Sequence, residues 1–167
     1  ERELLDPHHF NQTVMLESRK PLDSRLLEQV VEHLLSHHDA LRMRFVQPPD
    51  GWQQNNSWPG DELPFTRIDL SGVSDDALRW AIETEAASRQ GSLTLSDGPL
   101  LQIVHFDAGP DRPSRLLIVI HHLVVDGVSW RILLEDLRLA YERLEQGKLI
   151  GPAPKTTSDK QWAERLF

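Results

Sequence analysis

The chain has 167 residues, of which 39% are hydrophobic and 26% charged, a composition typical of a globular domain with its own hydrophobic core. Its net charge of -8 argues against nucleic-acid binding, which requires a basic surface, and the lack of cysteine excludes disulfides, thiolate catalysis and zinc–thiolate sites. The lack of cysteine also fits a reducing cytoplasm, where we expect the protein, and the hydrophobic runs are too short to cross a bilayer, so no membrane partner is expected.

The first third of the chain predicts a strand, a helix and a hairpin. Residues 11–17 alternate as a strand does, and Asp23 can cap a helix whose hydrophobic residues recur every three to four positions. Residues 41–47 alternate again and are followed by the turn sequence at 48–51. Residues 52–58 are expected to return as the second strand of that hairpin.

The remainder predicts an α+β fold, in which a mixed sheet packs with helices in two layers. Strands are predicted at residues 65–70, 100–107 and 115–122, and helices at 75–88 and 129–146, with a loop at 91–98 that contains a short extended piece at 93–95. The two later strands are hydrophobic on both faces and should be central. We expect one lobe at 1–146, then a linker and the start of a further helix at 147–167.

The segment with the clearest chemical content begins at the end of the last predicted strand. A hydrophobic run leads into His121 and His122, and three further hydrophobic residues separate them from Asp126 and Gly127. Histidine exchanges protons near neutral pH because its unperturbed pKa is about 6.5. Since side chains alternate across a strand, only one of the two histidines can face a reaction centre. The segment predicts proton-transfer or acyl-transfer chemistry, which we place at His122.

Residues 121–127 carry the pattern HHxxxDG and resemble the condensation and epimerization domains of nonribosomal peptide synthetases, which share the chloramphenicol acetyltransferase fold. Other segments are similar to the epimerization subgroup, namely 7–12, 125–137, and 154–158 with 161–163, while 38–45 resembles the second motif of the family as a whole. The resemblance spans the chain but only the first lobe of such a domain. We therefore expect one lobe of a chloramphenicol acetyltransferase-like fold, a C-terminal lobe missing from this chain, and no activity in the chain alone.

The resemblance implies that His122 faces the channel and moves a proton at the α-carbon of an aminoacyl or peptidyl thioester. The thioester would be carried on the 4'-phosphopantetheine arm of a peptidyl or acyl carrier protein, with no cofactor bound directly. A glutamate of the missing lobe would be the second acid–base group. Alternatives are a condensation domain that forms peptide bonds, a small-molecule acyltransferase, and a carrier-protein docking module without chemistry.

Supporting roles follow from the same resemblance. Asp126 is expected to pair with Arg42, or failing that with Arg44, and so to hold the loop; the residues themselves also allow Asp126 to be a helix N-cap. Gly127 is expected to adopt a backbone angle that other residues resist. His121 is expected to be a hydrogen-bonded core histidine.

No metal site is expected. Neighbouring strand residues point apart, so His121, His122 and Asp126 cannot easily converge on one ion. His33 and His37 have the i,i+4 spacing that can bind zinc, but the sequence offers no third ligand beside them.

Overall fold

The computed structural model describes residue 8 and residues 10–57 and 63–151. Its strands are β1 Asn11–Ser18, β2 Met43–Val46, β3 Gln53–Asn56, β4 Phe65–Asp69, β5 Leu101–Asp107 and β6 Ser114–His121. Its α-helices are α1 Ser24–His37, α2 Asp75–Gln90 and α3 Gly127–Glu145, and a 3-10 turn covers Asp39–Arg42. None of the helices in the described ranges is both long and hydrophobic enough to span a membrane.

Four strands form one mixed sheet in the order β1-β6-β5-β4. β6 is antiparallel to both of its neighbours, whereas β4 and β5 run parallel. β2 and β3 form a separate antiparallel hairpin. The predicted α+β class is therefore confirmed, and β5 and β6 are the two central strands, as their hydrophobic faces indicate.

Helices cover both faces of the sheet, which corrects the expectation of two layers. On one face, α1 and α3 pack against alternate residues of the central strands, among them Ile103 and Ile118. On the other face, α2 places Leu78 and Ile82 against the residues in between, such as Val104 and Val119. A strand pair that is hydrophobic on both sides requires a cover on both sides, so the third layer follows from the same pattern.

The element boundaries differ from the prediction in a few places. The strand predicted at 41–47 is shorter because the 3-10 turn occupies its first residues. The piece predicted at 93–95 is not a strand, although Phe45 N donates to Leu95 O at 2.8 Å. α3 begins two residues before the predicted start. The linker predicted from residue 147 is described only to residue 151, and the helix predicted at 159–167 lies outside the described residues.

Candidate functional site

The candidate site lies where β6 ends and the loop to α3 begins. His121 is the last strand residue and is 1% exposed; its backbone N–H donates to Leu100 O at 3.0 Å. Its Nδ1 accepts a hydrogen bond from Leu123 N at 3.2 Å. His121 is thus the buried, hydrogen-bonded histidine that was expected at this position.

His122 lies one residue beyond the strand and is only partly buried. Its backbone N–H donates to Phe10 O at 2.8 Å, which extends the β1–β6 pairing by one step. Its ring stacks on the ring of Phe10, with centroids 4.8 Å apart and planes 13° from parallel. The start of β1 therefore fixes both the backbone and the ring plane of this histidine.

Both ring nitrogens of His122 are within hydrogen-bond distance of a partner. Nδ1 lies 3.0 Å from Val125 O, and Nε2 lies 3.0 Å from Gln12 Nε2. Gln12 Oε1 in turn accepts a hydrogen bond from Trp130 Nε1 at 2.6 Å. Because the carbonyl oxygen of Val125 can only accept, we assign the ring proton to Nδ1.

This assignment defines what His122 can do. A neutral imidazole with its proton on Nδ1 has its lone pair on Nε2, and a lone pair can accept a proton from a bound molecule. Histidine is the side chain most often used as a general base near neutral pH. The arrangement of the site is therefore suited to proton abstraction by His122 Nε2.

Asp126 is the N-cap of α3 and is not joined to either arginine, which corrects the expected ion pair. Its Oδ1 accepts from Ser129 N at 2.7 Å, from Ser129 Oγ at 2.7 Å and from Val128 N at 3.1 Å. The backbone and hydroxyl hydrogen bonds from Ser129 hold the pKa of Asp126 below its usual range. Its geometry is that of an N-cap carboxylate, which satisfies free N–H groups in the first turn.

Arg42 is bound at the C-terminal end of α1. Its Nη2 lies 2.7 Å from Asp39 Oδ1, and its Nη1 donates to the carbonyl oxygens of Leu35 and Ser36. These carbonyls belong to the last turn of the helix, where a positive charge is stabilising. Within the described residues, then, Arg42 closes α1.

Arg44 is 7% exposed and holds a loop in place. Its side chain donates to Met43 O at 2.8 Å and to Asp97 O at 3.0 Å, and so ties β2 to the segment before β5. Burial lowers the pKa of its guanidinium. Both of the arginines that the resemblance offered to Asp126 thus bind backbone carbonyls nearer to themselves.

Gly127 does not have the special backbone angle that was expected. It is the first residue of α3, it is not among the described glycines with positive φ, and no described atom lies within 4 Å of the Cβ that another residue would add. Its conformation is open to other residues, so the expectation for Gly127 is wrong.

Among the residues that the structure describes, one group of side chains could geometrically hold a metal ion. His37, His38 and Asp136 each place a ligand atom within 4.8 Å of the others, and His33 stacks on His37. His38 Nε2 and Asp136 Oδ2 already bind each other at 2.9 Å, which links α1 to α3. We interpret this contact as a structural link between the helices.

Gln12 and Phe10 are site residues that the sequence alone does not single out. Both belong to the segment at 7–12, which contributed to the resemblance, but the resemblance implied no role for either residue. Trp130 is a core residue that is 9% exposed, and its indole N–H donates to Gln12. The contacts of Phe10 with His122 and of Gln12 with Trp130 cannot be predicted from hydrophobic periodicity, because β1 lies far from β6 and α3 in the sequence.

The family model and the known proteins that match this chain agree with one another. A family model described as "Condensation domain" matches residues 3–166. The chain is 49% identical over 160 residues to one of the linear gramicidin synthase proteins of Brevibacillus parabrevis, covering 95% of this chain and 2% of that protein. It is 44% identical over 160 residues to chondramide synthase cmdD of Chondromyces crocatus, covering 96% of this chain and 4% of that protein.

Solved structures agree. The epimerization domain from the third module of tyrocidine synthetase B superposes with a TM-score of 0.86 at 38% identity, covering 96% of this chain and 36% of that one. The starter condensation domain of rhizomide synthetase superposes with a TM-score of 0.81 at 19% identity, covering 95% of this chain and 37% of that one, a likeness that concerns the fold alone. The predicted chloramphenicol acetyltransferase-like fold is confirmed, and this chain spans about a third of such a domain.

Proposed function

Because the chain belongs to the condensation-domain family of nonribosomal peptide synthetases, we propose that it is part of a domain that epimerizes a carrier-bound thioester. The substrate is an aminoacyl or peptidyl group on the 4'-phosphopantetheine arm of a carrier protein. The carrier protein and a C-terminal lobe are the partners of this chain. The synthetase acts in the cytoplasm.

The reaction inverts the α-carbon through two proton transfers. The thioester carbonyl acidifies the α-hydrogen; His122 Nε2 takes this proton, and the electrons of the broken C–H bond pass into the enolate. A second acid in the other lobe, a glutamate by resemblance, then protonates the opposite face. A positioned acid or base of this kind is typically worth about 10²–10⁴-fold in rate.

The observation that carries the proposal is the hydrogen bonding of the His122 ring. Val125 O at 3.0 Å keeps the proton on Nδ1, which leaves the partly buried Nε2 as the basic atom. The 38% identity with the tyrocidine synthetase epimerization domain favours epimerization over the other reactions of the family.

Exposed hydrophobic side chains beside the site favour the presence of a second lobe that packs against them. Leu123 follows the two histidines and is 51% exposed, and Val128 and Ile132, one turn apart on α3, are 62% and 47% exposed. Clustered exposed hydrophobic residues mark interaction surfaces. We infer that this end of α3 faces the C-terminal lobe, which would close the reaction channel.

The test uses the natural synthetase that contains this sequence, with an L-aminoacyl thioester loaded on its carrier domain in D2O. Epimerization gives the D-isomer together with deuterium at the α-carbon. His122→Ala should lower both by about 10²–10⁴-fold, whereas the matched α1 variant His33→Ala should lower neither. A His122→Ala protein that still inverts and labels the substrate at the normal rate would contradict the proposal.

Peptide-bond formation is the second candidate, because the matching family model describes condensation domains. In that reaction the same Nε2 would assist an amine attacking the thioester. The assay separates the two reactions: an elongated product without deuterium at the α-carbon identifies condensation. The isolated 167-residue chain should give neither product, since a single lobe provides only one side of the channel.

A further inference from the structure

Gln12 is the least expected residue at the site, because it lies on β1, far in sequence from the histidines. Its Oε1 accepts from Trp130 Nε1 at 2.6 Å, and its Nε2 lies 3.0 Å from His122 Nε2. An indole N–H can only donate, so Trp130 fixes the amide with its oxygen toward the indole. The NH2 group of Gln12 therefore points at the imidazole.

This orientation selects one form of the His122 ring. An amide N–H beside Nε2 favours the lone pair there, since a proton on Nε2 would set two donors against each other. On the other side of the ring, the carbonyl of Val125 favours a proton on Nδ1. The two contacts act from opposite sides and select the same neutral form.

We propose that Gln12 is a positioning residue for His122: anchored by Trp130, its amide aligns the imidazole and keeps Nε2 unprotonated until the substrate arrives. The proposal rests on the proposed function, in which Nε2 takes the α-proton. When that proton binds Nε2, it replaces the amide N–H as the hydrogen at that position. The amide contact joins two neutral groups, the weaker class of hydrogen bond, so the substrate can displace it.

Two substitutions in the natural synthetase separate this role from a merely structural one. Gln12→Met keeps the length of the side chain but removes the amide and its contacts with Trp130 and His122. It should lower kcat about tenfold, because only the contact with His122 acts on the base. Gln12→Glu has the shape of the native residue but presents a carboxylate, which favours the doubly protonated ring. It should lower kcat by at least about 100-fold, with KM for the loaded carrier unchanged in both variants.

A structural role predicts the opposite order, because glutamate resembles glutamine more closely than methionine does. The exposed α1 residue Gln29 provides a matched control, since Gln29→Glu makes the same chemical change away from the site. Gln29→Glu should leave kcat unchanged. A Gln12→Glu enzyme as active as the Gln12→Met enzyme would overturn the proposal.

A second readout requires no turnover. In 15N NMR of the labelled 167-residue chain, the ring of His122 should show a protonated Nδ1 and an unprotonated Nε2. In Gln12→Glu the carboxylate should increase the share of doubly protonated ring over that of the wild type at the same pH, while Gln29→Glu should match the wild type. If Gln12→Glu does not fold, the wild-type spectrum and the kinetics of Gln12→Met decide, and a protonated Nε2 in the wild type refutes the proposal.

The outcomes also separate this proposal from the proposed function. If His122→Ala is inactive but both Gln12 variants work normally, Gln12 has no positioning role and the proposed function stands. If His122→Ala is fully active, the proposed function fails, whatever form the ring adopts.

Discussion

Gly98→Ala tests the corrected role of Arg44 as the anchor of a loop. Gly98 has a φ of +56°, and a Cβ at this position would overlap Arg44 Cζ and Nε. The guanidinium cannot move away freely, because it is buried and donates to Asp97 O and Met43 O. The substitution must therefore displace a hydrogen-bonded arginine as well as strain the backbone.

The two contributions can be estimated separately. A left-handed backbone costs a residue with a Cβ about 1–2 kcal/mol. Hydrogen bonds to charged groups are worth about 1.5–3 kcal/mol each, and water can replace part of this when a side chain is pushed outward. We expect the loss of the Arg44 contacts to cost about 2–4 kcal/mol, so that the two contributions together lower the free energy of unfolding of Gly98→Ala by about 3–6 kcal/mol.

Gly147→Ala is the matched control. Gly147 also has a positive φ, +68°, but no described atom lies within 4 Å of its added Cβ. Gly147→Ala therefore introduces the backbone strain without displacing a side chain. The entropy that alanine removes from the unfolded chain is the same in both variants. In urea unfolding, Gly98→Ala should be less stable than Gly147→Ala by about 2–4 kcal/mol.

The arginine can then be removed to test the cause. In an Arg44→Ala background the overlap is absent, so adding Gly98→Ala should cost no more than Gly147→Ala does. Equal unfolding midpoints for the two single glycine variants would refute the reasoning, because they would show that Arg44 is not held against Gly98.

Three further predictions concern stability. Asp126→Asn should keep the unfolding midpoint close to wild type while Asp126→Ala lowers it, because asparagine can cap α3 and alanine cannot; an ion pair would make the two equally harmful. Ser24→Ala should cost about 1–3 kcal/mol in urea unfolding, since Ser24 Oγ binds Nδ1 of the fully buried His105 at 2.8 Å and Nε2 of that ring has no described partner. Burial lowers the pKa of His105 and of His38, so between about pH 6.5 and their folded pKa values the unfolded chain binds more protons. Stability should therefore be complete above about pH 6.5 and fall as the pH is lowered from there toward the folded pKa values, a fall that His105→Gln should weaken.

The secondary structure was predictable because each element carries its own periodicity. The helix after Asp23 shows this best: its hydrophobic residues recur at helical spacing, and Asp23 caps it by accepting from Arg25 N at 2.8 Å. The two central strands were recognised because both of their faces are hydrophobic. The expectation of two layers was wrong because two-sided hydrophobic strands need a helix on each face, and α2 covers the second face.

The partner of Asp126 was harder to predict because one carboxylate suits two kinds of contact. An acid just before a helix can cap it locally or pair with a distant arginine, and the sequence contains both options. The local cap costs less loop-closure entropy than a distant ion pair, since Val128 and Ser129 lie within three residues of Asp126. Arg42 in turn binds carbonyl oxygens of the preceding helix, whereas Arg44 binds those of Met43 and Asp97.

The histidine motif contains only some of the contacts that hold its own catalytic candidate. The loop supplies the carbonyl of Val125, but the stacking ring and the amide come from Phe10 and Gln12, at the start of β1. The β1–β6 pairing brings them together, since Asn11 lies opposite His121 in the register. Substitutions at the start of the chain should therefore affect catalysis as well as those in the loop, although β1 carries no acid or base of its own at this site. His122 and two of the residues that hold its ring, Phe10 and Gln12, lie at opposite ends of the lobe's sequence, and the antiparallel pairing of β1 with β6 places them in contact.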